Sequence, residues 1–195
     1  KGAGHDIEPL FEEAPHVVDG SFYSQREPHG NIEGDCVQAY FDDNGLLTVQ
    51  CKAMAIGANL ADISEATSLP VEKIRVIENP TGASFGWSTA GLTFALAAIV
   101  CQACDGMPIA LSMTYQEHIA YAGKRAPSWS NSRLACDNDG KIIAAEWDFG
   151  LDHGAYNELG DDLTWRPARF TYFPYNVPNV KGIARVATTN HAYGC

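Results

Sequence analysis

The sequence predicts an α+β fold in which β-hairpins and a mixed sheet pack with helices. Two hairpin signals and an apolar helix lying between them carry that expectation. In the first hairpin, residues 36–41 and 46–51 flank Asp42-Asp43-Asn44-Gly45, whose Asn-Gly step favours the positive φ angles of a tight turn. In the second, residues 132–136 turn at Asp137-Asn138-Asp139-Gly140 into residues 141–148. Before these, residues 1–34 mix acids with Pro9, Pro15 and Pro28 and show no helical period, so they read as an extended acidic lead-in to a domain spanning 35–195. Within the lead-in, Val17, Val18, Phe22 and Tyr23 support one strand at 17–23. Leu60, Ile63 and Ala66 recur at helical steps and predict a helix over 59–68, closed by Pro70. Charged and apolar residues alternate over 73–78, a half-buried strand ending at Asn79-Pro80. After a loop at 81–87, Ser88 or Thr89 can cap a helix running to about Cys104 and stopped by Asp105-Gly106. That helix is apolar on all sides and is expected in the interior. A strand at 109–113, a short helix at 115–121, a helix-compatible stretch at 158–170 broken by Pro167, and a strand at 180–188 complete the chain.

Composition narrows the function. Of the 195 residues 46% are hydrophobic and 19% charged, the balance of a globular chain. Thirteen Lys and Arg against 24 Asp and Glu give a net charge of -11, a field that repels phosphate backbones and anionic headgroups. Neither nucleic acid nor a membrane surface is an expected partner. The apolar stretch at 92–104 contains Gln102 and is shorter than the roughly 20 residues that span a bilayer. No secretory signal is legible, so a cytoplasmic location is expected. The six cysteines (Cys36, Cys51, Cys101, Cys104, Cys136, Cys195) read as reduced, buried thiols.

Few residues carry recognisable chemistry by themselves. The loop residues Gly82, Ala83, Ser84, Phe85 and Gly86 stand between a predicted strand and a predicted helix, where unpaired backbone N–H groups and the helix dipole favour a negative ligand atom. The alternative is a strand-to-helix turn that needs glycine for its angles. The loop is neither a Walker loop nor a dinucleotide fingerprint. Cys101-Gln102-Ala103-Cys104 has redox or zinc half-site spacing but lacks a second pair of ligands, and the six histidines form no ligand pair, so no metal held by side chains is expected. Ser84 has no placed base and no Gly-x-Ser-x-Gly elbow is present. Arg166 and Arg169, beside Trp165 and Phe170, can anchor an anionic or carbonyl substrate or pair with Asp161 or Asp162.

The segment Ile77-Glu78-Asn79-Pro80-Thr81-Gly82-Ala83-Ser84-Phe85-Gly86-Trp87 resembles the Gly-Gly-x-Phe-Gly loop of the molybdenum hydroxylases, the family of xanthine dehydrogenase and aldehyde oxidoreductase. Further segments fall in family order: Gln25-Arg26-Glu27-Pro28-His29 with Ile32-Glu33, residues 121–127, Asp152-His153-Gly154-Ala155-Tyr156, and Tyr175-Asn176-Val177-Pro178-Asn179-Val180. The chain is most similar in these to the bacterial aldehyde oxidoreductases. The resemblance implies a molybdopterin-binding domain of the aldehyde oxidase/xanthine dehydrogenase type, in an enzyme that hydroxylates aldehydes or N-heterocycles with water-derived oxygen. It implies a molybdopterin dinucleotide carrying molybdenum, with the metal held by the cofactor's dithiolene, and iron-sulfur clusters on other domains or subunits. Gly82 to Gly86 would approach that cofactor, Phe85 and Gly86 nearest the apical oxo ligand. Arg166 matches a substrate-pocket arginine, and Leu159, Asp162 and Thr89 match positions lining the substrate tunnel.

The chain departs from the family pattern at Ala83, which replaces the second glycine, and at Ser88, which replaces a lysine. No glutamine stands near Ala53-Met54, where some relatives carry one beside the metal. The family's next cofactor loop would begin just after Cys195 and its catalytic glutamate lies far beyond, so no catalytic residue is assigned. The expected partners are the remaining half of the molybdopterin-binding region and the iron-sulfur domain or subunits. Alone, the chain is expected to be inactive and prone to self-association through uncovered apolar surface. The competing expectation is a non-catalytic structural or binding module that retains the fold without cofactor.

Overall fold

In the computed structural model, residues 6–156, 165–166, 169–170, 172 and 174–194 are described. Along the chain come α1 (Glu8–Glu13), β1 (His16–Ser24), β2 (Glu27–Pro28), β3 (Cys36–Phe41), β4 (Leu47–Cys51) and α2 (Ile56–Thr67). They are followed by β5 (Ile74–Glu78), α3 (Leu92–Ala103), β6 (Ile109–Ser112), α4 (Tyr115–Tyr121) and β7 (Lys124–Arg125). The last three are β8 (Ser128–Cys136), β9 (Ile142–Gly154) and β10 (Val180–Thr188). The chain divides into two compact units, one of Lys1–Glu27 with Arg125–Cys195 and the other of Pro28–Lys124. This division differs from the expected 34/35 boundary, because β1 of the lead-in pairs along its whole length with β8, far away in sequence.

In the unit of Pro28–Lys124 a mixed sheet has the order β5-β4-β3-β6. The β3–β4 hairpin forms as expected: Gly45 takes φ 74°, and Asp42 Oδ1 accepts N–H bonds from Asn44 (2.9 Å) and Leu46 (3.0 Å). These bonds hold the Asp42 carboxyl below the usual carboxylate range, the Leu46 amide contributing most. β4 and β5 run parallel, joined through α2, while β3 and β6 are antiparallel. Val37 and Ala39 alternate inward on β3 and meet Leu47, Val49, Ile63, Phe94, Ala97, Ala98 and Cys101 in the core. Each of the large apolar side chains among these contributes roughly 1.5 to 3 kcal/mol by leaving water. α4 opens with a capping box between Thr114 and Glu117.

Several expectations need correction here. α2 starts at Ile56, three residues before the predicted start. Ser88 and Thr89 do not cap α3; they lie in a tight 3-10 turn at Trp87–Thr89, and Gly91 is the residue that precedes the helix. Nor is α3 interior on all sides. Phe94, Ala97, Ala98 and Cys101 form its buried stripe, whereas Leu92, Leu96, Ile99 and Val100 form an exposed one. The cysteines also divide: Cys51 and Cys101 are buried, Cys136 is half-buried, and Cys36 and Cys104 are exposed, all as free thiols. Burial pushes the Cys51 thiol up to about 12.

The other unit is built on a sheet of order β1-β8-β9-β10, antiparallel except for the β9–β10 pair. Both β8 and β9 extend well beyond the predicted hairpin. Trp129 faces Gly150 across the ladder and Trp147 faces Gly182, the rings lying so close that a Cβ on either glycine would come within 2.0 or 2.1 Å of ring carbon. Large rings over cross-strand glycines fill the surface that the missing side chains leave. α1, within the lead-in expected to be extended, packs Phe11 against Ala135 and Ala144, and Arg133 holds it through Glu8 at 2.9 Å. Fewer than two turns long, it leaves no legible period. Among the described residues no helix is long and apolar enough to cross a membrane.

Candidate functional site

The loop at 79–91 lies wholly within the unit of Pro28–Lys124 and is anchored at every step. Where β5 ends, Asn79 N–H donates to Cys51 O (2.8 Å) and Gln50 Nε2 donates to Asn79 Oδ1 (2.8 Å), so the loop leaves from the end of β4. Gly82 and Ala83 donate their amides to the same oxygen, Glu33 Oε2, at 2.7 and 2.9 Å. Ser84 is buried, and its Oγ accepts Ser88 N–H at 2.7 Å. Phe85 follows with φ 53°, a left-handed conformation uncommon for a residue with a side chain, and Gly86 with φ 110°. Beyond it the 3-10 turn is fixed by Met54 N–H to Ser88 O (3.3 Å) and Asn59 Nδ2 to Thr89 O (3.0 Å).

A buried polar cluster supports the loop. Lys52 and Asp35, 3% and 1% exposed, pair at 3.2 Å. Lys52 Nζ also donates to the carbonyls of Glu33 (3.0 Å) and Ala83 (3.3 Å), which uses its three N–H groups. Asp35 Oδ2 accepts from Trp87 Nε1 and from Thr93 Oγ1 (2.7 Å), joining the end of the loop to the first turn of α3. Asn31 donates its amide to Glu33 O, which leaves its Oδ1 to accept His118 Nε2–H at 3.0 Å. Buried ions cost free energy unless paired and hydrogen-bonded, and these are both.

Burial is the main reason that His118 holds its proton less tightly than an ordinary imidazole, with Lys52 and Lys124 adding to the effect and Asp35 opposing it. The folded protein therefore favours the neutral ring. The resulting stability is fully present above the unfolded value of about 6.5 and is lost as pH falls from there through the lower folded value. Urea midpoints measured at about pH 8 and about pH 5.5 are expected to separate by an amount that His118→Gln reduces. An equal separation in the variant would refute this.

Beside the loop is a hollow of about 420 Å3 lined by Gly30, Ile32, Glu33, Gly82, Ala83 and Phe85. Its apolar rim is open: Ile32 is 94% and Phe85 59% exposed. Among the described residues the Gly86 amide donates to no protein acceptor, whereas those of Gly82 and Ala83 are taken by Glu33. α3 starts only at Leu92, so its N-terminal dipole does not act at the glycines.

The candidate residues are thus distributed. Gly82, Ala83, Ser84, Phe85 and Gly86 form one loop, and Thr89 lies half-buried in the turn after it. Arg166 belongs to the other unit and is exposed, next to a pair in which the Arg169 guanidinium stacks 4.1 Å over the Trp165 ring. Leu159 and Asp162 lie outside the described residues. Sequence reading missed the supporting set of Glu33, Asp35, Lys52 and His118. Only Glu33 stood in a quoted motif, and the others are single polar residues whose meaning depends on partners far along the chain.

Comparison with known proteins gives this geometry its context. A family model described as molybdopterin cofactor-binding domain matches residues 1–195. Aldehyde oxidoreductase of Megalodesulfovibrio gigas is 37% identical over 191 residues, which cover 98% of this chain and 21% of that protein. The nicotinate dehydrogenase large molybdopterin subunit of Eubacterium barkeri is 26% identical, with 95% and 44% covered. The solved aldehyde oxidoreductase of Desulfovibrio desulfuricans superposes with a TM-score of 0.88 at 36% identity, over 98% of this chain and 21% of that one. The chain spans between about a fifth and less than half of the length of these relatives. From the loop, its supporting cluster and these matches over almost every residue, the chain belongs to the molybdopterin cofactor-binding domain family.

Proposed function

We propose that this chain is the cofactor-side part of a molybdopterin-dependent oxidoreductase that hydroxylates aldehydes or N-heterocycles with water-derived oxygen, completed by the rest of the molybdopterin-binding region and by iron-sulfur domains or subunits. The observation that carries the reading is the loop tip, where left-handed Phe85 stands at the rim of the hollow and Gly86 offers an uncommitted amide. The residues present suit such a cofactor: a preorganised backbone donor, an apolar ring and an open hollow. When bound, the cofactor supplies the molybdenum centre at which oxygen and electrons are transferred. The chain's own part is to orient it. The Gly86 N–H can donate to a cofactor oxygen, the Phe85 ring excludes water from that side, and the loop from Gly82 to Ser84 sets the position of both. In this reading, as the family resemblance implies, Arg166 binds the substrate's carbonyl or anionic group.

In the complete enzyme, Phe85→Ala is expected to lower kcat/KM roughly 100-fold by loosening this alignment. Arg166→Ala is expected to raise KM roughly tenfold while molybdenum content stays constant. Purified enzyme free of molybdenum and pterin would instead favour the non-catalytic module, the reading to which Ala83 and the buried, unpartnered Ser88 hydroxyl lend weight.

A further inference from the structure

We infer that Glu33 is a positioning residue of the cofactor loop, an internal carboxylate that occupies the Gly82 and Ala83 amides and so leaves the later part of the loop, where the Gly86 amide lies, to meet a ligand. A single oxygen, Oε2, takes both amides at 2.7 and 2.9 Å. A Cβ on Gly82 would stand 3.2 Å from that same oxygen, so the carboxylate lies against the loop as well as bonding to it. On the main-chain side Lys52 bridges the carbonyls of Glu33 and Ala83. Residue 33 thus grips residues 82–83 through its side chain and, through Lys52, by its backbone.

Two consequences follow for a ligand. The carboxylate repels an anionic group from the first half of the loop, although two adjacent N–H donors there would otherwise attract one. The second half keeps its shape because the residues before it cannot shift, which matters at Phe85, where the left-handed backbone persists only if its surroundings over-determine it. A displacement of about 1 Å at such a position is enough to cost roughly 100-fold in rate.

The inference rests on the cofactor-loop reading above, and the test separates the two. In the complete enzyme, Glu33→Ala is expected to lower kcat roughly 10- to 100-fold with KM changed by less than about threefold, and to shift the molybdenum electron paramagnetic resonance signal. Glu33→Gln retains a side-chain oxygen that can accept the two amides, and is expected to restore most of both. Hydrogen exchange provides a readout independent of turnover: the amides of Gly82 and Ala83 are expected to lose protection in Glu33→Ala and to keep it in Glu33→Gln. Should Glu33→Ala fail to fold, Gly82→Ala pushes on the same carboxylate and is expected to give the same exchange pattern and signal shift. Unchanged exchange and signal in Glu33→Ala, or in Gly82→Ala where that variant stands in, overturn the positioning role, as does a Gln variant indistinguishable from Ala. If Phe85→Ala also leaves the signal unchanged, the cofactor-loop reading fails with it; if Phe85→Ala shifts it, only the role of Glu33 is lost.

Discussion

Gly154→Ala is expected to destabilise the protein by about 3 kcal/mol or more. Gly154 closes β9 with φ +76°, and a Cβ there would lie 2.3 Å from Ala192 O and 2.8 Å from His191 O. Those are backbone atoms and cannot swing aside as a side chain would. They are also committed: Ala192 O accepts from Arg26 Nη1 (2.5 Å) and His191 O accepts Ala155 N–H (2.9 Å), while Gly154 itself is held by its N–H to Asp152 Oδ1 (2.8 Å) and by Thr189 N–H to its carbonyl (3.0 Å). Gly45 provides the comparison, with φ +74° but nothing within 4 Å of its Cβ position. Gly45→Ala should therefore cost only the left-handed strain, about 1 to 2 kcal/mol. Urea unfolding of both variants checks this, and equal losses would show that the close approach at Ala192 has no energetic weight.

Lys52→Met is expected to cost about 3 to 5 kcal/mol, because it leaves Asp35 charged and buried with only Trp87 and Thr93 to hold it. Lys52→Met also releases the carbonyls of Glu33 and Ala83. Adding Asp35→Asn removes the stranded charge while keeping an oxygen for Trp87 and Thr93. The double variant is accordingly expected to recover about 1 to 3 kcal/mol relative to the sum of the two single changes. Simple additivity in unfolding experiments would mean that the pair is not coupled.

What was legible in the sequence was local. The turn at 42–45 announces itself because Asp42 bonds to amides two and four residues away, and the short helix at 115–121 was expected, although its Thr114–Glu117 capping box went unread. The loop at 82–86 was visible through its glycines and through resemblance. The contacts that shape it were not, since Glu33 reaches 49 and 50 residues along the chain and Asp35 reaches 52 and 58. α3 shows a different limit: with apolar residues on every face, its pattern could not say that Leu96 and Ile99 would remain outside while Phe94 and Ala98 went in. Packing chose the face.

The division of the chain also bears on how the molecule is assembled in time. Ser24 must find Ser128 to start the β1–β8 ladder, and all of Pro28–Lys124 lies between them. Closing so long a segment as a random coil carries a large entropic cost before any ladder contact compensates. The inserted unit avoids much of that cost, because its own ends meet where β2 pairs with β7. Once this unit has folded, the tether between β1 and β8 is short, and the two strands close as if joined by a brief connection. Topology therefore predicts that the insert condenses before the β1–β8 ladder closes, an order that pulse-labelled hydrogen exchange checks.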